Sequence, residues 1–488
     1  MEHDTEKKEG FRQPLTPAPL LIVLASFDPS GEGKNHYDPE HPELLTDKES
    51  KYYGEQWAIS KPADCYDRFF GEGTMSMLEY YRQMTNGKFW FYPVEIDHPD
   101  EGMPKSGVVA VTIPLPHPAA LRNLGDYDNG SAAAKVIHDI VCACDRFIDF
   151  KKYDPDGDGI ITPHDLAIII LNAGYDHATC EHDKECSVDY EDGPDGAHRF
   201  QVHGTSQPTD AEMTGGVHIV RVSNIGEYRS VKTGLTTIGT PAHELCHNVG
   251  AQDMYSRYTS GYDVEPRWPI PGPLSLMSSG NHLGDGALPA FVDPYQRIYF
   301  GWSDVTEVTD DGVYTVTEVT NGDKILKIPT PNPDEYFLCE VRLKKGFEEK
   351  LTRGEEKGGV LVWHVDEKVN REWFLKAQCV SSNRAGGGKR HDLGNAICPR
   401  RGLETVHNGD GSFLRFGPLR DGTWGEDPFF YKSDDPATST FDSSLYCGAA
   451  SMSYSLNAFP DGVSRDWKLT VEVLDEPSDE MKVKIKRG

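Results

Sequence analysis

The sequence has no long hydrophobic run. The longest apolar stretch near its N-terminus, residues 20–25, is short and follows a polar, acidic segment without the basic residues of a signal peptide. A membrane-spanning helix needs about 20 apolar residues. This stretch therefore predicts a buried strand, and the sequence indicates neither a transmembrane segment nor an export signal.

Positive charge is scarce. The 488 residues include 78 acidic and 49 basic side chains, which gives a formal net charge of -29. Such a chain repels nucleic-acid phosphates and anionic membranes overall, so we expect no nucleic-acid partner. Metal cations and neutral or cationic polypeptides are easier partners. A purely solubilising role for the acidic surface fits the composition equally well.

The ten cysteines contain no CxxC pair, so the usual pattern of a dithiol redox site is missing. Two pairs lie in polar, loop-like segments where secreted proteins form disulfides, and for them both the oxidised and the reduced state remain open: Cys180 with Cys186, and Cys379 with Cys398. Three others lie in helical apolar patterns and are expected to be reduced core residues: Cys142, Cys144 and Cys246.

The most informative stretch is residues 240–253, TPAHELCHNVGAQD. His243 and His247 are four residues apart, so in a helix both imidazoles project from one face and can share a metal ion. Glu244 lies about 100° around the helix, beside that metal but not among its ligands. Two imidazoles and an adjacent carboxylate are typical of zinc hydrolases.

The residues that flank this pattern strengthen the prediction. Thr240 is a plausible N-cap, with Pro241 at the first helical position. Gly250 permits the left-handed conformation that ends a helix, and the reversal can bring Asp253 towards the imidazoles as a third zinc ligand. A more distant Asp, Glu or His remains an alternative for that third position.

A second metal site is predicted between residues 154 and 165. Its carboxylates occupy positions 1, 3, 5 and 12 of a calcium loop, with a backbone carbonyl available at position 7; these ligands are Asp154, Asp156, Asp158, Asp165 and, through its carbonyl, Ile160. Position 12 is Asp where Glu usually chelates the ion, and this should weaken binding. An Asp/Gly turn without metal is the alternative.

Secondary-structure patterns divide the chain in two. A mixture of helices and strands is expected up to residue 303, with strands at 20–25, 89–94 and 166–171 and helices at 74–87 and 131–150. Short alternating strands follow, at 313–319, 324–328, 336–342, 360–365 and 467–473. We therefore expect an α+β fold with a disordered segment at 1–16, a catalytic domain at 17–303 and a β-rich domain at 304–488.

These segments together resemble the immune inhibitor A family of zinc metallopeptidases, which are metzincin-like. The resemblance runs from about residue 20 to the C-terminus and includes the 243–255 motif, the Asp156 to Gly159 loop and the segments 274–280 and 359–366. It implies a mixed sheet with an active-site helix, followed by a β-sandwich-like domain. It also makes Met277 the residue of a turn beneath the metal, and it implies secretion.

Three positions depart from the family pattern: Asn172, Cys246 and Ser256. None of them removes a proposed ligand or Glu244, so they affect secondary contacts and metal affinity. The expected function is a zinc-dependent endopeptidase acting on proteins or peptides, with Glu244 as the general base and structural Ca²⁺. A catalytically silent adhesion protein with structural zinc, and a zinc hydrolase of non-peptide amides, are the alternatives; the oligomeric state is open.

Overall fold

A computed structural model describes residues 16–38, 40–41, 43–118, 120, 132–176, 201–202, 204–230, 234–251, 253–254, 272–333, 335–351, 357–366, 403–405, 429–442 and 468–488. Its helices are α1 (Glu43–Thr46), α2 (Pro62–Phe70), α3 (Met77–Met84), α4 (Ala132–Ala143), α5 (Gly239–Asn248), α6 (Pro294–Tyr299) and α7 (Pro436–Ser439). Short 3₁₀ segments are Phe150–Tyr153, Gly272–Leu274, Ser279–Gly286 and Gly346–Lys350. None of the described helices is long and apolar enough to cross a membrane.

The strands of the first sheet are β1 (Ala18–Phe27), β2 (Phe91–Pro93), β3 (Val108–Ile113), β4 (Ile160–Ile161), β5 (Ala167–Asp176), β6 (Gln201–Val202), β7 (Thr205–Met213), β8 (Val217–Ser230) and β9 (Gly234–Leu235). In its centre β1, β5 and β8 run parallel, and β2 and β3 both pair with β1. Strand β7 pairs antiparallel with β8. The sheet is therefore mixed, with a parallel centre.

Each face of this sheet is covered by helices. Alternate residues of β1 and β5 point to opposite faces, because side chains in a strand alternate with a period of two. Leu20, Ile22 and Ile169 pack on the face that carries α3 and α5, whereas Leu21 and Ile168 pack on the face that carries α4. Both faces of the sheet are buried at β1 and β5, which explains why the sequences of these two strands are continuous apolar runs.

The remaining strands form two further sheets. One has the order β10-β12-β13-β14-β15, from β10 (Asp304–Glu307), β12 (Lys324–Pro329), β13 (Glu335–Leu343), β14 (Gly358–Asp366) and β15 (Leu403–Thr405). The other has the order β11-β18-β17-β16, from β11 (Gly312–Thr317), β16 (Thr440–Asp442), β17 (Leu469–Val473) and β18 (Glu480–Arg487). The facing sides of these two sheets share one hydrophobic cluster.

One hydrophobic cluster includes residues on both sides of residue 303, the expected domain boundary. Residues Leu338 and Trp363 of the second sheet belong to the same buried cluster as α3 and α5, while Phe337 and Val362 face the third sheet. One side of strand β13 therefore faces α3 and α5, and its other side faces the third sheet. The side that faces α3 and α5 also carries the buried charged residues Glu340 and Arg342.

The α+β expectation agrees with this mixed architecture, and most predicted strands are present with small shifts of their ends. The helix predicted at 131–150 was too long, because α4 ends at Ala143 and a turn precedes the 3₁₀ segment Phe150–Tyr153. The prediction missed β7 and β8. Cys142, Cys144 and Cys246 are free thiols, as expected, whereas both candidate disulfide pairs lie outside the described residues.

His117 makes a testable contribution to the pH dependence of stability. It is fully buried, its Nε2 lies 2.7 Å from the Ala173 carbonyl oxygen, and burial lowers the pKa of His117 to about 3. The unfolded chain, with an ordinary histidine pKa near 6.5, binds this proton first as pH falls. The free energy of unfolding should therefore drop by about 1.4 kcal/mol per pH unit between about pH 6 and pH 3 on account of this one group.

Urea unfolding at a series of pH values checks this expectation. In His117→Gln the slope of stability against pH should be shallower over that range, while His98→Gln, at an exposed loop position, should keep the wild-type slope. Equal slopes in wild type and His117→Gln would contradict the assignment.

Candidate metal centre

Helix α5 is held in the interior. Nearly all its residues are buried, and it packs against β8, β7 and the 3₁₀ segment Ser279–Gly286. It starts earlier than predicted: the N-cap position is Ile238, without a side-chain cap, and Thr240 lies inside the helix. Gly239 lies so close to the Asn281 backbone that a Cβ atom at this position would clash with the Asn281 carbonyl oxygen.

Three potential ligand atoms converge at the C-terminal half of α5. The Nε2 atoms of His243 and His247 are 3.1 Å apart, and Asp253 Oδ1 lies 3.1 Å from the first and 3.0 Å from the second. A tetrahedral zinc ion with bonds of about 2.0–2.1 Å separates its ligand atoms by about 3.3 Å. The triangle therefore has the size that a zinc ion requires.

Backbone carbonyls orient both imidazoles. His243 Nδ1 lies 2.8 Å from the Leu276 carbonyl oxygen, and His247 Nδ1 lies 2.9 Å from that of Ala251. A carbonyl oxygen only accepts, so each Nδ1 carries a proton, and each ring turns its Nε2 towards the centre. Two imidazole nitrogens and a carboxylate oxygen then face one another, and this set of donor atoms could hold a metal cation. Such carbonyl contacts are usual behind metal-bound histidines.

The reversal after α5 delivers the third atom. Gly250 has φ +105°, a backbone conformation that residues other than glycine rarely adopt. The sequence predicted such a positive φ at this position. The Met254 amide then donates to the Met277 carbonyl at 2.6 Å, which fixes the chain directly after Asp253. Asp253 is 3% exposed; burial raises its pKa, but the neighbouring imidazoles outweigh burial and hold it well below the usual range.

Met277 lies in the turn that supports this centre. It is fully buried, and its amide donates to Ser275 Oγ at 3.2 Å. The preceding residue, Leu276, provides the carbonyl for His243. The structure thus places the turn predicted at Met277 against α5 and against the segment that carries Asp253.

Glu244 lies beside the three ligand atoms in a buried environment. It is 7% exposed, and its carboxylate accepts a hydrogen bond from the Ser206 amide of β7. Burial raises the pKa of Glu244 to about 7; His243 opposes this shift, and the nearby carboxylates of Asp253 and Asp176 add to it. A carboxylate with this pKa can both accept and return a proton near neutral pH.

A polar clamp that the sequence did not reveal ties α5 to the sheet. The Asn248 amide donates to Ser223 Oγ at 2.8 Å and its carbonyl oxygen accepts from Ser206 Oγ. Ser223 Oγ in turn donates to the Glu244 carbonyl at 3.0 Å. The Asn248 side chain thus links β7 and β8 to helix α5 close to Glu244. Its only sequence signal was its place directly after His247, since both serines are distant in the chain.

Asn248→Ala should disturb Glu244 without removing a ligand. We expect zinc binding to stay within about twofold of wild type and any metal-dependent hydrolysis to fall by about tenfold, because loss of a supporting hydrogen bond typically costs about 1 kcal/mol or more. Metal content and kcat measured on the same preparation test this. Asn321→Ala, in an exposed turn, is the matched control. An unchanged kcat in Asn248→Ala would rule out the clamp's role.

The acidic loop brings three of its predicted ligands together. Carboxylate oxygens of Asp154, Asp156 and Asp158 lie within 4.8 Å of one another. Asp165 does not join them: its Oδ2 accepts from the amide and hydroxyl of Thr162, at 2.9 and 2.6 Å. Ile160 opens β4, which pairs with β8. The loop therefore offers a three-carboxylate cluster at the surface.

Within the described part of the chain, this loop and the triad of His243, His247 and Asp253 are the two groups of side chains arranged to hold a metal ion. The triad is largely buried, with His247 partly exposed, and the loop is largely exposed. Comparison with protein-family models and with curated protein sequences gave no match for this chain.

Proposed function

We propose that this protein is a zinc-dependent endopeptidase that hydrolyses peptide bonds in protein or peptide substrates. One observation carries the proposal: Nε2 of His243, Nε2 of His247 and Oδ1 of Asp253 lie 3.0 to 3.1 Å apart, and the next residue after the first ligand is a buried glutamate. A purely structural zinc site has four protein ligands and needs no such base.

The residues divide the chemistry between them. His243, His247 and Asp253 would hold a Zn²⁺ ion, which would supply Lewis acidity for the attack of water on the peptide carbonyl. Glu244 accepts the proton of the attacking water and returns it to the departing amine, a task that one carboxylate can perform from one position. The Leu276 and Ala251 carbonyls keep the imidazoles oriented, and the Ser206 amide keeps the Glu244 carboxylate in place.

An edge strand beside Glu244 favours a polypeptide substrate. Among the described strands, β7 pairs only with β8, and its Ser206 amide is directed at the Glu244 carboxylate. An extended peptide can add to such an edge through main-chain hydrogen bonds. Substrate backbone would then pass next to the base.

Three further assignments belong to this proposal. Residues 17–303 would be a metzincin-like catalytic domain and 304–488 a β-sandwich-like domain; the mixed sheet with its buried helix and the two facing sheets support this division. Asp154, Asp156 and Asp158 would bind structural Ca²⁺. Secretion rests on the family resemblance alone.

A chelation experiment tests the activity. The purified protein should cleave casein or gelatin, 1,10-phenanthroline should abolish the cleavage, and zinc should restore it. The non-chelating 1,7-phenanthroline isomer is the control for effects unrelated to metal. A chain that binds zinc stoichiometrically but cleaves neither a protein nor a peptide library would instead match a silent binding protein or a hydrolase of other amides.

A further inference from the structure

We propose that Arg342 and Glu348 of the second sheet region are positioning residues for the metal centre. They hold the turn at residues 274–277, which carries the carbonyl that orients His243. The inference rests on metal binding at the proposed site, but not on peptidase activity.

A chain of hydrogen bonds leads from Glu348 to the first ligand. Glu348 Oε1 accepts from the Phe291 amide at 3.0 Å, and the Phe291 carbonyl accepts from the Leu276 amide at 3.1 Å. The Leu276 carbonyl then lies 2.8 Å from His243 Nδ1. Each bond fixes the donor or acceptor of the next, so a shift of the Glu348 carboxylate is passed to the imidazole.

Arg342 holds the same turn from its other end. Its Nη1 donates to the Leu274 carbonyl at 3.3 Å, and its Nε donates to Glu348 Oε2 at 2.6 Å, with a second contact between Nη2 and Glu348 Oε1. Both side chains are buried, so solvent cannot take over these bonds. The turn also receives the Met254 amide at Met277, next to Asp253. Two of the three ligands thus depend on it.

The same buried network contains a matched control. Asp323 pairs with Arg297 at 2.9 Å and accepts from Ser303, and it has no direct bond to residues 274–277 or to Phe291. It is as deeply buried as Glu348. Its loss should therefore cost stability of a similar kind without releasing the turn.

The experiment compares Glu348→Gln with Asp323→Asn in the full chain. We expect the zinc dissociation constant, measured by chelator competition, to rise 10- to 100-fold in Glu348→Gln, as for other residues behind metal ligands, and the visible spectrum of the Co²⁺-loaded protein to change. In Asp323→Asn the urea midpoint should fall while zinc affinity and the Co²⁺ spectrum stay as in wild type. Arg342→Lys, which keeps the charge but loses the planar fork, should resemble Glu348→Gln.

Equal zinc affinity in wild type, Glu348→Gln and Arg342→Lys would overturn this inference, and so would an equal loss in Asp323→Asn. A wild-type chain that binds no zinc would overturn the metal centre and this inference with it. Zinc binding without any proteolysis would refute the proposed function and leave the positioning role standing.

A cavity of about 260 Å³ lies at the carboxyl ends of β5 and β8. Its lining includes the aromatic side chains of Tyr37, Trp57, Tyr175 and Tyr228 and the carboxylate residue Glu227. Tyr228 lies about 16 Å farther along β8 than Ser223, which contacts α5, at about 3.3 Å per residue. The cavity therefore lies farther along β8 than Ser223.

Glu227 is a buried carboxylate without an ion-pair partner among the described residues. It is 1% exposed and accepts from the Ile59 amide at 3.0 Å and from the Ser60 amide. The guanidinium of Arg68 acts on it only from a distance and donates to the Thr236 carbonyl at 2.9 Å. Burial raises the pKa of Glu227. A cation in the cavity would compensate this charge.

We infer that the cavity binds an ammonium or guanidinium group, because aromatic rings and a carboxylate together favour an organic cation. The second wall carboxylate, Glu55, already has a partner in His36, whose Nδ1 lies 2.7 Å away. Glu227 is therefore the carboxylate that would favour a cationic ligand over a neutral one.

Calorimetric titration of the full chain tests the site. N-acetyl-L-arginine amide should bind saturably, and the neutral isostere N-acetyl-L-citrulline amide should bind at least tenfold more weakly. Glu227→Gln should weaken the arginine amide about 10- to 100-fold, in line with a hydrogen bond to a charged group, whereas Glu72→Gln at an exposed position should not. If methylguanidine binds as tightly as the amide, the ligand is a small free guanidinium compound. If an arginine peptide binds more tightly than the amide, the ligand is a polypeptide side chain. Equal binding of citrulline and arginine amides, or an unchanged Glu227→Gln, would refute the site.

Discussion

Glu244→Gln should leave the protein folded and able to bind zinc, but should lower kcat/KM for peptide hydrolysis by about 10²- to 10⁴-fold, the range of general-base contributions. Gln has nearly the same shape as Glu and can still accept from the Ser206 amide. It cannot take a proton from water at neutral pH. The change therefore removes the base and retains the architecture around it.

The measurement pairs zinc content with kcat/KM on a fluorogenic peptide taken from the library digest. Glu212→Gln is the matched control, because Glu212 is an exposed glutamate on β7, the strand that also carries Ser206. The control should cleave at the wild-type rate. If Glu244→Gln also cleaves at that rate, the proposed mechanism is wrong.

Asp253→Ala should weaken zinc binding by more than about 100-fold, the upper end of what loss of a residue behind a ligand costs. Asp253 supplies the only carboxylate among the three converging atoms, and its Oδ1 lies 3.1 and 3.0 Å from the two Nε2 atoms. Without it two imidazoles remain, and solvent would have to complete the coordination. Hydrolysis should be lost along with the metal.

Zinc affinity by chelator competition decides this prediction. Asp210→Ala on β7 serves as the control, since Asp210 is exposed and pairs with His218 at the surface. Retention of wild-type affinity in Asp253→Ala would mean that a different residue is the third ligand. The sequence left that alternative open, because it does not give the distances between the imidazoles and other potential ligands.

Elements whose sequences reflect their own burial were predicted correctly, and elements that depend on partners distant in the chain were missed. Strands β1 and β5 were predicted correctly because both faces of each are buried, so their sequences are continuously apolar. Strand β8 was missed because polar residues such as Asn224 and Glu227 interrupt its apolar pattern. Their burial depends on partners elsewhere, among them Asn172 and the Ile59 amide.

Helix ends show the same distinction. Thr240 was predicted as an N-cap from local preference, yet α5 begins at Gly239, and the backbone of Asn281, distant in the sequence, leaves no room for a Cβ atom at that position. Gly250 was predicted correctly, because a positive φ is a property of the residue itself. Asp165 was assigned to the calcium loop by its spacing, but its carboxylate contacts Thr162.

The sequence by itself determined that His243 and His247 share one helical face, that Glu244 lies beside them and that the chain can reverse at Gly250. These relations follow from helix geometry and from the conformational freedom of glycine, both of which are local. Only the tertiary structure decided that Asp253 meets both imidazoles, that Leu276 orients His243, and that Asn248, Arg342 and Glu348 support the centre. Those contacts join segments far apart in the chain, and their distances depend on how the sheets and helices pack.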